Sequence, residues 1–262
     1  MSPIAWDDFL AQGVHVHPSP HESGVLAGTV EHVHVGLATA DASDELRQQL
    51  VGGPEVDLAI VRYPTTVGWV PSALLGVQET HRIVPAGHIV YWGVDLARPT
   101  GATKMDRLEE LGVADTDECT ASIREIFDGY ANHYSVNHLL PEVDTASAYA
   151  DWASRLLVDP QADVFVTRIK GGAIAGIAVN RRGGDLVEVH LAGVSPAFRG
   201  QGEYAALVAL LLAHYGGMDI PRLVISTQDH NVGVQRQWAR AGLLPLGAVA
   251  TVQVMPRTGP RM

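Results

Sequence analysis

With 262 residues, 47% of them hydrophobic, the chain can build one large core or two modest ones. A formal charge of −11 excludes an electrostatic nucleic-acid binder, which needs a basic face. The single cysteine, Cys119, excludes an intrachain disulfide and points to a reducing compartment. The start lacks a basic and apolar leader and no run reaches transmembrane length, so a cytoplasmic protein is expected, away from membranes.

Residues 1–28 hold Pro18, Pro20 and scattered glycines without a pattern. From Val30 to Leu37 apolar positions alternate with His32 and His34, as in a half-exposed strand. Asp41 to Leu50 reads as a helix with Leu46 and Leu50 on one face, Val56 to Tyr63 as a strand, and Val67 to Leu75 as a short helix with Pro71 in its first turn. His88 to Leu96 is another strand, which makes residues 1–103 a βαβαβ half-domain. Its outline, IVRYP, a helix ending in Leu75-Gly76-Val77, then IVYWGV, recurs later as LVIST, a helix ending in Ala241-Gly242-Leu243, then AVATVQVM. The first copy is therefore read as a degenerate version of the second. The pairs His15/His17 and His32/His34 have the spacing of one strand face, but no carboxylate or cysteine cluster completes a zinc set, so no metal is expected.

Residues 104–114 read as a charged linker and 115–262 as the second domain. Asp117 can cap a helix on which Ile123, Ile126, Phe127 and Tyr130 form one apolar stripe. The following segment, HYSVNHLLPEVD, reads as a loop too polar and aromatic to be core. Asp144 can cap a second helix carrying Tyr149, Trp152 and Leu156 on one side, and a hairpin spans Val164 to Asn180 around Gly171-Gly172. Leu186 to Val194 is then a strand, with Glu188 and His190 on one face and Val187, Val189 and Leu191 on the other. It runs into Arg199-Gly200-Gln201-Gly202 and a helix from Glu203 to Gly216. A glycine loop feeding a helix N-terminus leaves backbone N–H groups unpaired at the positive end of the helix dipole, which suits a phosphate or pyrophosphate.

The order of these motifs, Val194-Ser195-Pro196, then Arg199, Gly200 and Gly202, then Asn231, Trp238 and Gly242, resembles the Gcn5-related N-acetyltransferase (GNAT) family over residues 115–256. Tyr204 departs from it, standing where the family has a small residue. The resemblance implies an α/β GNAT fold, a mixed central sheet flanked by helices, preceded here by the degenerate half-domain. It implies acetyl-CoA, or another short acyl-CoA, as co-substrate. In the family the central strand is bulged and splays from its neighbour, and Gly193 suits such a bulge. Leu191, Ala192, Gly193 and Val194 would hold the pantetheine arm, with Asn231 and Trp238 beyond them, while Arg199, Gly200, Gln201, Gly202, Glu203 and Tyr204 would surround the pyrophosphate. Glu188 and His190 are the candidate general bases. Many relatives carry a tyrosine at the position of Trp238 as the acid for the departing thiolate, a role an indole cannot fill. Tyr204, Tyr134 and His133 are the candidate substitutes.

On the acceptor side, HY..N followed by Y..W resembles the acetyltransferases of nucleotide-linked 4-amino-4,6-dideoxy sugars, the dTDP-fucosamine type. That likeness makes His133, Tyr134, Asn137 and Tyr149 the candidate acceptor contacts. The expected partner is thus a small-molecule amine, an amino sugar first, with neither nucleic acid nor membrane; a homodimer is left open. Two other readings stand beside it. One is acetylation of an aminoglycoside-like antibiotic, and the other a non-catalytic acyl-CoA-binding or regulatory module, motivated by Trp238 and Tyr204.

Overall fold

The computed structural model describes residues 12–36, 42–52, 56–96, 105–170, 172–218 and 220–257, together with Trp6 and Leu10. In chain order the elements are β1 (Val14–Pro18), α1 (Pro20–Leu26), β2 (Val30–Val35), α2 (Ser43–Gly52), β3 (Leu58–Pro64), α3 (Val70–Leu75) and β4 (His81–Asp95). They continue as β5 (Leu108–Leu111), α4 (Thr116–Phe127), α5 (Thr145–Leu156), β6 (Ala162–Arg168), β7 (Ile174–Gly183) and β8 (Leu186–Val194). The chain closes with α6 (Glu203–Gly216), β9 (Arg222–Gln228), α7 (Val232–Arg240) and β10 (Leu244–Pro256). No helix among the described residues is long and apolar enough to cross a membrane. The architecture is the mixed α/β one expected, and it forms two compact units. One comprises residues 1–90, 131–143 and 247–262, the other 91–130 and 144–246.

In the first unit the strand order is β1-β2-β3-β10-β4. Strand alternation sends Val33, Val35, Val61, Tyr63, Val252 and Val254 into a core with Leu46, Val70 and Leu74 from the helices. The opposite face carries the polar members of the same strands. Antiparallel β1 sets His15 beside His34 and His17 beside His32, and parallel β3 sets Arg62 beside His34. The strand β1 and helix α1 went unread in the sequence. Pro20 sits at the start of α1, where a missing N–H costs nothing, so the proline that obscured the pattern opens a helix. The expected strand also ends before Leu37, which lies outside the described residues, as does Asp41 of the expected helix.

The segment 131–143, read from sequence as a loop outside any core, is largely buried in this unit: Asn132, His133, Tyr134 and Asn137 are each at most 6% exposed. Polarity misled because each polar group has a partner. The Tyr134 hydroxyl donates to Glu22, Asn137 Nδ2 donates to Gln253 Oε1 at 2.5 Å, and Gln253 Nε2 donates to the His133 carbonyl at 2.8 Å. Buried polar groups are tolerated when hydrogen-bonded in this way.

The second unit has the strand order β4-β9-β8-β7-β6-β5. Of the expected linker, residue 104 lies outside the described residues, and Leu108–Leu111 form the edge strand β5, antiparallel to β6. Helices α4 and α5 cover one face with Ile123, Phe127 and Trp152 against Val166 and Leu191. On the other face Leu207, Leu211 and Tyr215 of α6 pack with Val187, Val189 and Trp238. Strand β8 changes faces within itself. Val189 pairs with Asn180 and Leu191 with Val179, so His190 is an extra residue in the ladder. The extra residue resets the alternation and moves Leu191 to the side opposite Val187 and Val189, which corrects the strict two-face reading. The irregularity lies at His190 rather than at Gly193, which pairs in register with Ile177.

Candidate functional site

A cavity of about 690 Å³ opens in the second unit where two neighbouring strands part. Strands β8 and β9 pair in parallel from Leu186–Arg222 to Val189–Ile225, and the ladder stops there although β8 runs on to Val194 and β9 to Gln228. The backbone of Ala192, Gly193 and Val194 forms one wall of the opening, and His230 and Asn231, which lead into α7, form another. The end of α4 completes it with Ile126 and Phe127, followed by Tyr130. Gly193 is required for this fit: a Cβ there would lie 2.3 Å from Ile126 Cγ2.

At one end stands the glycine loop. Gly200 and Gly202 have φ of +77° and +85°, a left-handed backbone that only glycine adopts freely, and a Cβ at either would meet open space. The first bond of α6 runs from Ala206 N to Gly202 O at 3.0 Å, so the N–H groups before it precede the helical ladder and lack an i−4 partner. With the helix dipole they make a cradle for an anion of phosphate size. Arg199 braces the loop: its Nη2 donates to the Ile126 carbonyl at 2.9 Å and its Nε to the Val194 carbonyl at 3.3 Å. Ser195 adds a second tie to α4, donating to Glu125 Oε1 at 2.8 Å. Gln201 turns outward to the Ala197 carbonyl, and Glu203, also on the wall, pairs with Arg107.

Tyr204 and Trp238 prove to be one unit. The Trp238 indole N–H donates to the Tyr204 hydroxyl at 3.0 Å, and Trp238, 1% exposed, packs with Trp92 at 6.2 Å between ring centres. Trp238 is thus behind the wall while Tyr204 is on it. Burial pushes the Tyr204 phenol well above its ordinary pKa, so it stays protonated at neutral pH. Because the indole N–H occupies a lone pair of its oxygen, the hydroxyl keeps its own proton for another acceptor.

The remaining candidates fall in three places. Leu191 is buried against α4 and α5. Glu188 is buried on β8, and His190, two residues on, meets Trp152 edge to face at 5.4 Å; neither is among the residues lining the cavity. Burial, and then the charge of Arg181, pushes His190 down to about 4, so its imidazole is neutral at pH 7. Tyr149 meets the tilted ring of Phe127 at 4.9 Å and that of Tyr130 edge to face at 6.1 Å, behind the aromatic side of the cavity. His133, Tyr134 and Asn137 belong to the buried network of the first unit. Sequence reading missed Ile126, Phe127 and Tyr130 as cavity residues, because an apolar stripe looks the same whether it faces core or cleft. No group of three or more histidine, cysteine or acidic side chains among the described residues could hold a metal.

Residues 122–243 match the family model described as Acetyltransferase (GNAT) family. The fold is that of the GNAT acetyltransferases. A GCN5-related N-acetyltransferase from Sphaerobacter thermophilus is 15% identical, with a TM-score of 0.59 over 92% of this chain and 76% of that one. A tandem GNAT protein from the clavulanic acid biosynthesis pathway is 14% identical, with a TM-score of 0.54 over 89% and 76%. An acetyltransferase from the GNAT family from Colwellia psychrerythraea is 15% identical, with a TM-score of 0.52 over 86% and 78%. No curated protein matches the sequence. At these identities the GNAT likeness carries the fold, and the features that bear on chemistry are the chain's own: the parted strands, the glycine cradle and the Trp238–Tyr204 pair.

Proposed function

We propose that the protein is an acyl-CoA-dependent N-acetyltransferase acting on a small-molecule amine, with an amino sugar as the first acceptor to test. The observation that carries it is the cavity itself, which joins an anion cradle at Gly200–Tyr204 to an unpaired strand edge at Ala192–Val194. That arrangement suits a long ligand with a pyrophosphate at one end and an amide-bearing arm along the strand. Acetyl-CoA has this form and supplies the acyl thioester. The open space at the Gly200 and Gly202 Cβ positions is what close approach of a phosphate needs.

Within this reading the chain's residues divide the work. The loop N–H groups bind the diphosphate, and strand backbone groups of β8 orient the arm. Tyr204, held by Trp238, offers its proton to the departing sulfur. Glu188 takes the proton of the incoming amine, directly or through water, with the neutral His190 as the alternative acceptor. Soft aromatic surface from Phe127 and Tyr130 shields the reacting end from water.

Incubation with acetyl-CoA and a panel of amines, with free thiol release followed, tests the activity; release that never depends on any amine sinks it and favours the non-catalytic module. Two variants then separate the proton carriers. Glu188→Gln lowers turnover by at least about tenfold at pH 7 and recovers as pH rises and more amine is neutral, whereas Tyr204→Phe lowers turnover at every pH with CoA affinity retained. A Glu188→Gln profile that follows wild type moves the base to His190.

A further inference from the structure

We propose that the first unit contains an anion site, for a carboxylate or phosphate group, at Arg62, with His34 and His133 beside it. Arg62 is a charge without a counter-charge among the described residues. Arg62 is 3% exposed in the middle of β3, and no carboxylate among the described residues lies within ion-pair distance of it. Among the described residues its side chain makes one hydrogen bond, from Nη2 to His133 Nε2 at 3.5 Å, at the edge of what counts as a bond, and its buried Nε has no partner there. A desolvated guanidinium held by so little is costly unless something negative completes it.

The acidic side chain in the same cluster is already engaged. Glu22 accepts from Ser19 Oγ at 2.6 Å, from the Tyr134 hydroxyl and from the His32 ring. Although burial alone would raise the Glu22 pKa, the hydrogen bond and charge of His32, and then the Ser19 hydroxyl, hold it well below the ordinary carboxylate range, so it is ionised. Among the described residues the other titratable neighbours are histidines. Burial, and next the charge of Arg62, pushes both His34 and His133 down, so neither brings a second charge in its resting state. Sheet register sets the frame. His34 and Thr251 are the cross-strand partners of Arg62 on either side, on β2 and β10, and His15 follows on β1. A guanidinium fork with imidazoles at its flank is suited to two or three oxygens of one anion. Among its described residues the first unit has no glycine loop like the one at Gly200–Gly202, so this site differs in kind from the cradle of the second unit and does not depend on the function proposed for it.

Thermal melting and calorimetry of the full chain test this, with inorganic phosphate and with acetate titrated against chloride at matched ionic strength. The wild type should show a saturable rise in melting temperature with at least one of the two anions. A response to acetate alone assigns a carboxylate ligand, and one to phosphate alone a phosphate ligand. Phosphate can also enter the glycine loop of the second unit, so the decisive quantity is the part of the response that Arg62→Met removes. That variant keeps the length of the side chain without its charge and should melt no lower than wild type in chloride. If it fails to fold, Arg62→Lys decides, with the anion affinity reduced by about tenfold or more as the fork is lost. Absence of any saturable response, or the same response in Arg62→Met or in Arg62→Lys, overturns the site and leaves Arg62 as part of the buried network alone.

Discussion

Gly202→Val is expected to lower the affinity for coenzyme A by about 100-fold or more while the second unit stays folded, because charged groups lose two or more hydrogen bonds of about 1.5–3 kcal/mol each. No described residue lies within 4 Å of a Cβ at Gly202, so the added side chain points into the space that the proposed phosphate would occupy. Backbone strain adds to this, since φ is +85° and a left-handed residue with a side chain costs about 1–2 kcal/mol. Gly202→Asn separates the two contributions, as asparagine tolerates that backbone yet still fills the cradle. Calorimetry with CoA and a thermal melt are the measurements. If both variants bind CoA as wild type does, the loop is a turn and the phosphate assignment fails.

The second large effect is steric and lies at the other end of the cavity. A Cβ on Gly193 would stand 2.3 Å from Ile126 Cγ2, closer than real side chains come, so Gly193→Val must push α4 away from β8. Overpacking of this kind costs about 1–3 kcal/mol in stability. It should also weaken CoA binding, because Arg199 spans the same joint through the Ile126 and Val194 carbonyls. Ile126→Ala in the Gly193→Val background should restore part of both losses, a coupling of about 0.5–3 kcal/mol for residues in contact. Strict additivity of the two changes in melting temperature and CoA affinity would show that Gly193 is not there to admit Ile126.

How far the sequence showed all this depends on whether the signal was local. The strand, loop and helix from Leu186 to Gly216 were legible because each announces itself: apolar alternation, then Arg199-Gly200-Gln201-Gly202, then a long apolar helix. The stripe Ile123, Ile126, Phe127 was legible as a helix face, but not the fact that its last turn faces a cavity, which depends on where β8 and β9 part. The insertion of His190 into the ladder left no mark in the residue types, so Leu191 was placed on the wrong face. The segment 131–143 failed for a different reason. Its polarity implies solvent only while Glu22 and Gln253, 112 and 116 residues away from their partners Tyr134 and Asn137, are unknown. Likewise, the exchange of Trp238 for tyrosine reads as a lost acid in the sequence. In space it is an indole delivering a hydrogen bond to Tyr204, from the neighbouring helix.

The parting of β8 from β9 also fixes a kinetic property of the backbone. Ser195 N donates to Ala175 O on the β7 side at 2.9 Å, and N–H directions alternate along a strand, so the amides of Val194 and Ala192 point the other way, toward the cavity. They have lost the β9 partners that their predecessors in the strand keep as far as Val189. In the free chain these two amides should therefore trade their hydrogens for deuterium faster than those of Val187 and Val189, although all four belong to the same central strand. Bound CoA should slow the first pair selectively and leave the second unchanged. The middle of the sheet, usually its most protected part, is here built to be dynamic at one short edge until a ligand arrives to serve as the missing strand.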